Sequence, residues 1–169
     1  MKEKLYTIPL IDAFKAGDEC PFCFVERQLE QHAMDFVLGA GASYMEDDVR
    51  AETDKMGFCR THYKKMYDYG NRLGTGLILK THFQCKTKEL HEQIRIFAPS
   101  RVSVFSRFKK RNTDTDAPKT SLGVWVKEQE DTCYICNFYK DTYARYLDTF
   151  FELFKKSQEF LPLFETCKG

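Results

Sequence analysis

From Phe22 to about Leu38 the apolar residues fall three and four apart, at Val25, Leu29, Ala33, Phe36 and Val37, with Ala40 continuing the stripe. This spacing predicts an amphipathic helix. Gly39 and Gly41 are natural terminators, and Cys23 stands at the helix start. Upstream, residues 6–17 predict a short extended entry and then a helical turn or two, with Pro9 at an early helical position and Gly17 as the stop.

A second and longer pattern begins after Gly57, marked by Met66, Leu73, Leu77, Phe83, Leu90, Ile94 and Phe97, and it stops before Pro99. Gly70, Gly74 and Gly76 interrupt it, each costing about 1 kcal/mol in a helix interior. Either a break near 70 or a close helix contact would account for them, and close packing is the preferred reading. Between the two patterns, residues 43–56 read as a connection. A helix of about 17 residues carries the chain roughly 25 Å away from Cys23, and the connection could span about 45 Å if extended, so Cys59 can return to the first cysteines.

The last third repeats the theme. A short amphipathic helix is expected from Ser121, carrying Leu122, Trp125 and Val126, and a longer one from Asn137 to about Glu159. The longer helix has a wide aromatic face of Tyr139, Tyr143, Tyr146, Phe150 and Phe154, with Leu147 beside it, and Pro162 is expected to end it. Between 100 and 120 the composition changes. Arg101, Arg107, Lys109, Lys110 and Arg111 cluster there, and the run from Asn112 to Pro118 reads as a loop. The expected organisation is therefore a first helical half over 1–99, a basic linker over 100–120 and a second half over 121–169.

Composition narrows the function classes. At 43% hydrophobic and 15% aromatic residues the chain is far from a disordered composition, and its 169 residues can bury a modest core without cross-links. A charged content of 30% balances to a net charge of +1, which speaks against nucleic acid or an anionic membrane as a global partner. No run approaches the roughly 20 apolar residues of a membrane helix, and no signal-peptide core precedes Pro9, so a cytoplasmic protein is expected. In that compartment the seven cysteines stay reduced, and pairs spaced Cys-x2-Cys point to metal ligands or redox thiols more than to disulfides.

Two short pieces carry the chemistry: Cys20-Pro-Phe-Cys23 and Gly57-Phe-Cys59-Arg-Thr-His62. Cys-x2-Cys lets both sulfurs reach one ion around a tight turn, and a Cys and a His three apart do the same on the first turn of a helix. The expected site is therefore Cys20, Cys23, Cys59 and His62 around zinc, with iron a lesser alternative because three sulfurs and one imidazole favour zinc. Four protein ligands leave no position for substrate, so such a metal would hold the fold, and enzymatic activity is not expected. Cys133 and Cys136 form a second, incomplete pair. They read as a further zinc site completed beyond Gly169, a site using Cys167 with a distant ligand such as His82 or Cys85, or free thiols.

At an offset of 113 residues Asp18, Cys20, Cys23, Asp35, Glu52 and Thr53 fall on Asp131, Cys133, Cys136, Asp148, Glu165 and Thr166 without a gap. The shared order, an acidic residue, Cys-x2-Cys, an amphipathic helix and then Glu-Thr, predicts an internal duplication. The first copy continues into Phe-Cys-x2-His and the second reaches Gly169, which suggests a chain truncated before its second Phe-Cys-x2-His.

The pairing of Cys-Pro-x-Cys with Gly-Phe-Cys-x2-His, the opening Glu-Lys-Leu-Tyr-Thr-Ile-Pro and the segment Asn71-Arg72-Leu73-Gly74 resemble a family of bacterial cytoplasmic proteins defined as a domain of unknown function. The resemblance spans the chain and implies that both half-motifs occur twice in an intact member. It brings no activity with it.

The functional reading is a mainly α-helical protein of two related halves, stabilised by zinc and serving as an interaction or scaffold module for a protein partner. A thiol redox or metal-sensing protein is the alternative, although the strand and βαβ pattern of thioredoxin-like proteins are absent. A second alternative is nucleic-acid binding through the basic run 101–111, where Phe105 and Phe108 interleave the cations.

Overall fold

The computed structural model describes residues 6–17, 20–97, 120–156 and 160–165, and among these every regular element is helical. Helix α1 (Thr7–Lys15) replaces the expected extended entry, and the chain leaves it through Gly17 in the left-handed region at φ +69. Helix α2 (Pro21–Leu38) begins on a proline, whose missing N–H is no loss at a first-turn position. Of the predicted stripe it buries Val25, Ala33 and Val37, joined by Met34 and Leu38, whereas Leu29 is half-buried and Phe36 and Ala40 are exposed.

The stretch read as a connection is largely helical. After a 3-10 turn at Ser43–Met45, helix α3 (Asp47–Met56) opens with two aspartates that complement the positive end of its dipole. It buries only Val49 and Thr53, too narrow a stripe for the apolar pattern to announce. Much of its anchoring is polar. Arg50 donates to the Tyr44 carbonyl at 2.7 Å and to the Leu77 carbonyl at 3.2 Å, and Thr81 donates to Asp54 at 2.7 Å.

The long pattern after Gly57 divides in two. Helix α4 (Arg60–Tyr69) ends at Gly70, whose φ of +88 is a left-handed stop, and helix α5 (Arg72–Ile96) starts on the Asn71 cap. The break is thus at Gly70, while close packing holds at Gly74, where a β-carbon would meet the Tyr44 ring at 2.9 Å. One glycine supplies conformational freedom and the other supplies space.

Helix α6 (Ser121–Glu130) and helix α7 (Tyr134–Lys156) follow the expected pattern. Pro162 does not terminate α7. It lies in the first turn of a short α8 (Leu161–Glu165). The basic run 101–111, the remainder of the expected linker up to 119, and Cys167 lie outside the described residues.

Helices α2 and α7 run antiparallel, as the ring contacts Phe22–Phe150 (4.9 Å between centroids) and Phe36–Phe138 (5.2 Å) require. Two core clusters occupy the ends of this pair. One joins Leu10, Ala13, Phe14, Val25, Tyr146, Phe150 and Phe160. The other joins Ala33, Met34, Val37, Leu38, Phe58, Met66, Ile78, Cys133 and Ile135. Both clusters draw on residues from before and after the 100–120 segment, so neither buries its apolar surface with one half alone. Fully buried side chains such as Leu10, Ile78 and Ile135 each contribute about 1.5–3 kcal/mol. Among the described residues no helix is long and apolar enough to cross a membrane.

Candidate metal centre

Two loops meet where α4 and α7 begin. Gly57 takes φ +63, a conformation that side chains rarely adopt, and a β-carbon there would sit 2.6 Å from the His82 ring. The turn it permits lets the Gly57 carbonyl accept from the Tyr134 N–H at 2.9 Å, while the Thr132 hydroxyl donates to the Met56 carbonyl at 2.8 Å. These two bonds lock the segment before α4 to the segment before α7, fixing the four side chains that follow.

Cys59 is the N-cap of α4 and His62 lies in its first turn; Cys133 precedes α7 and Cys136 lies in its first turn. His62 Nδ1 is 3.2 Å from Cys59 Sγ, 3.2 Å from Cys133 Sγ and 3.5 Å from Cys136 Sγ. The four ligand atoms all lie within 4.8 Å of one another. This is a Cys3His group that could hold a metal ion.

The grouping differs from the expected one. Cys59 and His62 are joined by Cys133 and Cys136, the pair read as belonging to a second site, and Cys20 and Cys23 stand apart from them at the start of α2. The chain's length allows Cys59 to reach Cys20, but the antiparallel packing of α2 on α7 brings the start of α7 to the loop at Gly57 instead. Nor are His82 and Cys85 ligands of this group. His82 donates from Nδ1 to the Asp54 carbonyl at 2.9 Å, and the Cys85 thiol donates to Glu89 at 3.4 Å.

A residue outside both motifs completes the arrangement. Glu30, on α2, lies 2.8 Å from His62 Nε2 and also pairs with Lys65. With its carboxylate accepting at Nε2, the imidazole carries its proton there and presents Nδ1 as a bare lone pair toward the three sulfurs. Carboxylate–histidine pairs of this kind orient metal-bound imidazoles and raise their basicity. A lone glutamate within an amphipathic helix gives no sequence signal for this role.

The electrostatics fit a cation. Burial pushes the His62 imidazole below its ordinary range, against the opposing pull of Glu30, so the ring favours the neutral form a metal requires. Burial would raise Cys59 as well, but its hydrogen bonds with the His62 amide and the Cys133 and Cys136 thiols bring it below the usual thiol value. Cys136 moves the other way, up to about 12, through burial and the neighbouring Cys133 and Cys59. Three sulfurs this close cannot all ionise together unless a positive charge stands among them, which is what a thiolate-bound metal supplies.

No curated protein and no solved structure matches this chain. A family model does match, over residues 1–169, and the chain belongs to the family of unknown function DUF6062.

Proposed function

We infer that Cys59, His62, Cys133 and Cys136 bind one zinc ion as a structural cross-link, and that the protein is a zinc-stabilised helical interaction or scaffold module. The observation that carries this reading is the convergence of four soft ligands from two loops more than seventy residues apart in sequence. Zinc–sulfur and zinc–nitrogen bonds of about 2.3 and 2.0 Å place tetrahedral ligand atoms roughly 3.5–4 Å apart, which the observed spread accommodates. Three thiolates and an imidazole favour zinc over magnesium, calcium or a redox iron centre. With four protein ligands the ion has no open position for a substrate, so its work is to tie the start of α4 to the start of α7.

In this role His62 and the thiols hold the ion, Glu30 fixes the imidazole, and the bonds from Tyr134 and Thr132 set the loop separation. The test is elemental analysis of protein purified without a metal-affinity column, counting zinc and iron, on the natural sequence and on Cys133→Ser. The reading expects zinc in the natural sequence and loss of the tightly held ion in the variant. Iron in place of zinc, or a variant that keeps its tight ion, overturns it.

A further inference from the structure

The two Cys-x2-Cys pairs stand at opposite ends of the antiparallel α2 and α7 pair. Cys20 caps α2 and Cys23 lies in its first turn, as Cys133 and Cys136 stand at the start of α7. Both pairs hold the same register on their helices: the first cysteine stands just before the helix and the second lies in its first turn.

The shared register has a chemical consequence. Cys133 and Cys136 are completed by a Cys-x2-His pair that lies on the far side of the 100–120 segment from them, not by one that follows them. Cys20 and Cys23 belong to no Cys, His or acidic group of three or more among the described residues. Their turn is nonetheless closed. The Cys23 N–H donates to Cys20 Sγ at 3.4 Å, the Cys23 side chain is exposed, and Cys20 is half-buried.

We propose that Cys20 and Cys23 form a second, open metal half-site for a soft divalent ion such as zinc, whose two remaining positions take a Cys-x2-His pair presented by another chain. The proposal rests on the first site's being a metal centre, since that site is its template. Binding is not a redox step. Each thiol gives its proton to solvent as its sulfur bonds to the ion, and no electrons move.

The probe is Co2+ added to the reduced, metal-free full chain, read by the sulfur-to-cobalt charge-transfer band and the d–d bands of tetrahedral cobalt. It is used alone and then with a peptide copying residues 57–63, Gly-Phe-Cys-Arg-Thr-His-Tyr. Two ions per chain are expected. The weaker one should tighten about tenfold or more with the peptide and vanish in the double variant Cys20→Ser, Cys23→Ser, while the tighter one remains. A single ion in both proteins overturns the proposal, as does a second ion that ignores the peptide. Loss of the tighter ion in the double variant would overturn the ligand assignment of the first site instead, and the template with it. Circular dichroism on the same samples checks that the two substitutions leave the helices intact.

Discussion

The two ends of the α2 and α7 pair carry the same motif and use it differently. At one end Cys133 is only 4% exposed and His62 only 2% exposed, and the ligands sit inside a cluster with Phe58, Met66, Ile78 and Ile135. At the other end Cys23 is exposed, and cohesion comes from rings: Phe14, Phe22, Phe150 and Phe160 meet with centroids 4.9–5.9 Å apart. Aromatic packing of this kind adds about 0.5–1.5 kcal/mol per pair beyond area burial. Identical spacing at a helix start therefore does not decide whether a cysteine pair is part of the core. What decides it is whether a second loop arrives with complementary ligands.

The comparison breaks most severely at the closed end. Cys133→Ser should remove the bound metal and lower the melting temperature by about 10 °C or more, because metal binding and folding are linked. A calorimetric scan with and without a chelator checks it, and the chelator should affect the natural sequence far more than the variant. In the natural sequence the metal should also be released progressively as pH falls, since protons compete for the three thiolates and the imidazole. Proton release on metal uptake at constant pH measures the same linkage with the opposite sign.

At the ring-packed end, Phe150→Ala should cost about 3–5 kcal/mol while leaving metal content at its natural value. Denaturant unfolding read alongside elemental analysis separates the two effects, and a loss of metal there would show that the two clusters are not independent. Gly57→Ala should be milder, about 1–3 kcal/mol, because it forces a strained φ and presses on the His82 ring. Unlike Phe150→Ala, it should also weaken metal binding, since the Gly57 carbonyl holds the start of α7.

Glu30→Gln keeps the shape of the side chain and removes its charge. It should weaken metal affinity by about 10–100-fold, read by competition with a chromophoric chelator, with little change in helical content. The smallest effect belongs to the open end: Cys20→Ser should change stability by no more than about 0.5 kcal/mol, because Cys20 is only half-buried and serine can take over its place as the cap of α2. A large loss there would place Cys20 in the folding core and erase the contrast between the ends.

Much of this was open to view in the sequence alone. Three- and four-residue spacing marks α2, α6 and α7, because a helix that packs against one neighbour needs a single apolar stripe. The chemical types at the centre were equally plain, since Cys-x2-Cys and Cys-x2-His spacings reflect how two ligands share an ion around one turn. Those are local properties, fixed within a few residues. By contrast, α3 is held by Arg50 and Asp54 reaching α5, so its apolar pattern is faint. Glu30 acts across 32 residues of sequence. Above all, the choice of which cysteine pair joins Cys59 and His62 belongs to tertiary structure. Chain length permits either pair, and the antiparallel docking of α7 on α2, driven by side chains spread along both helices, delivers Cys133 and Cys136 to the Gly57 loop while leaving Cys20 and Cys23 at the far end.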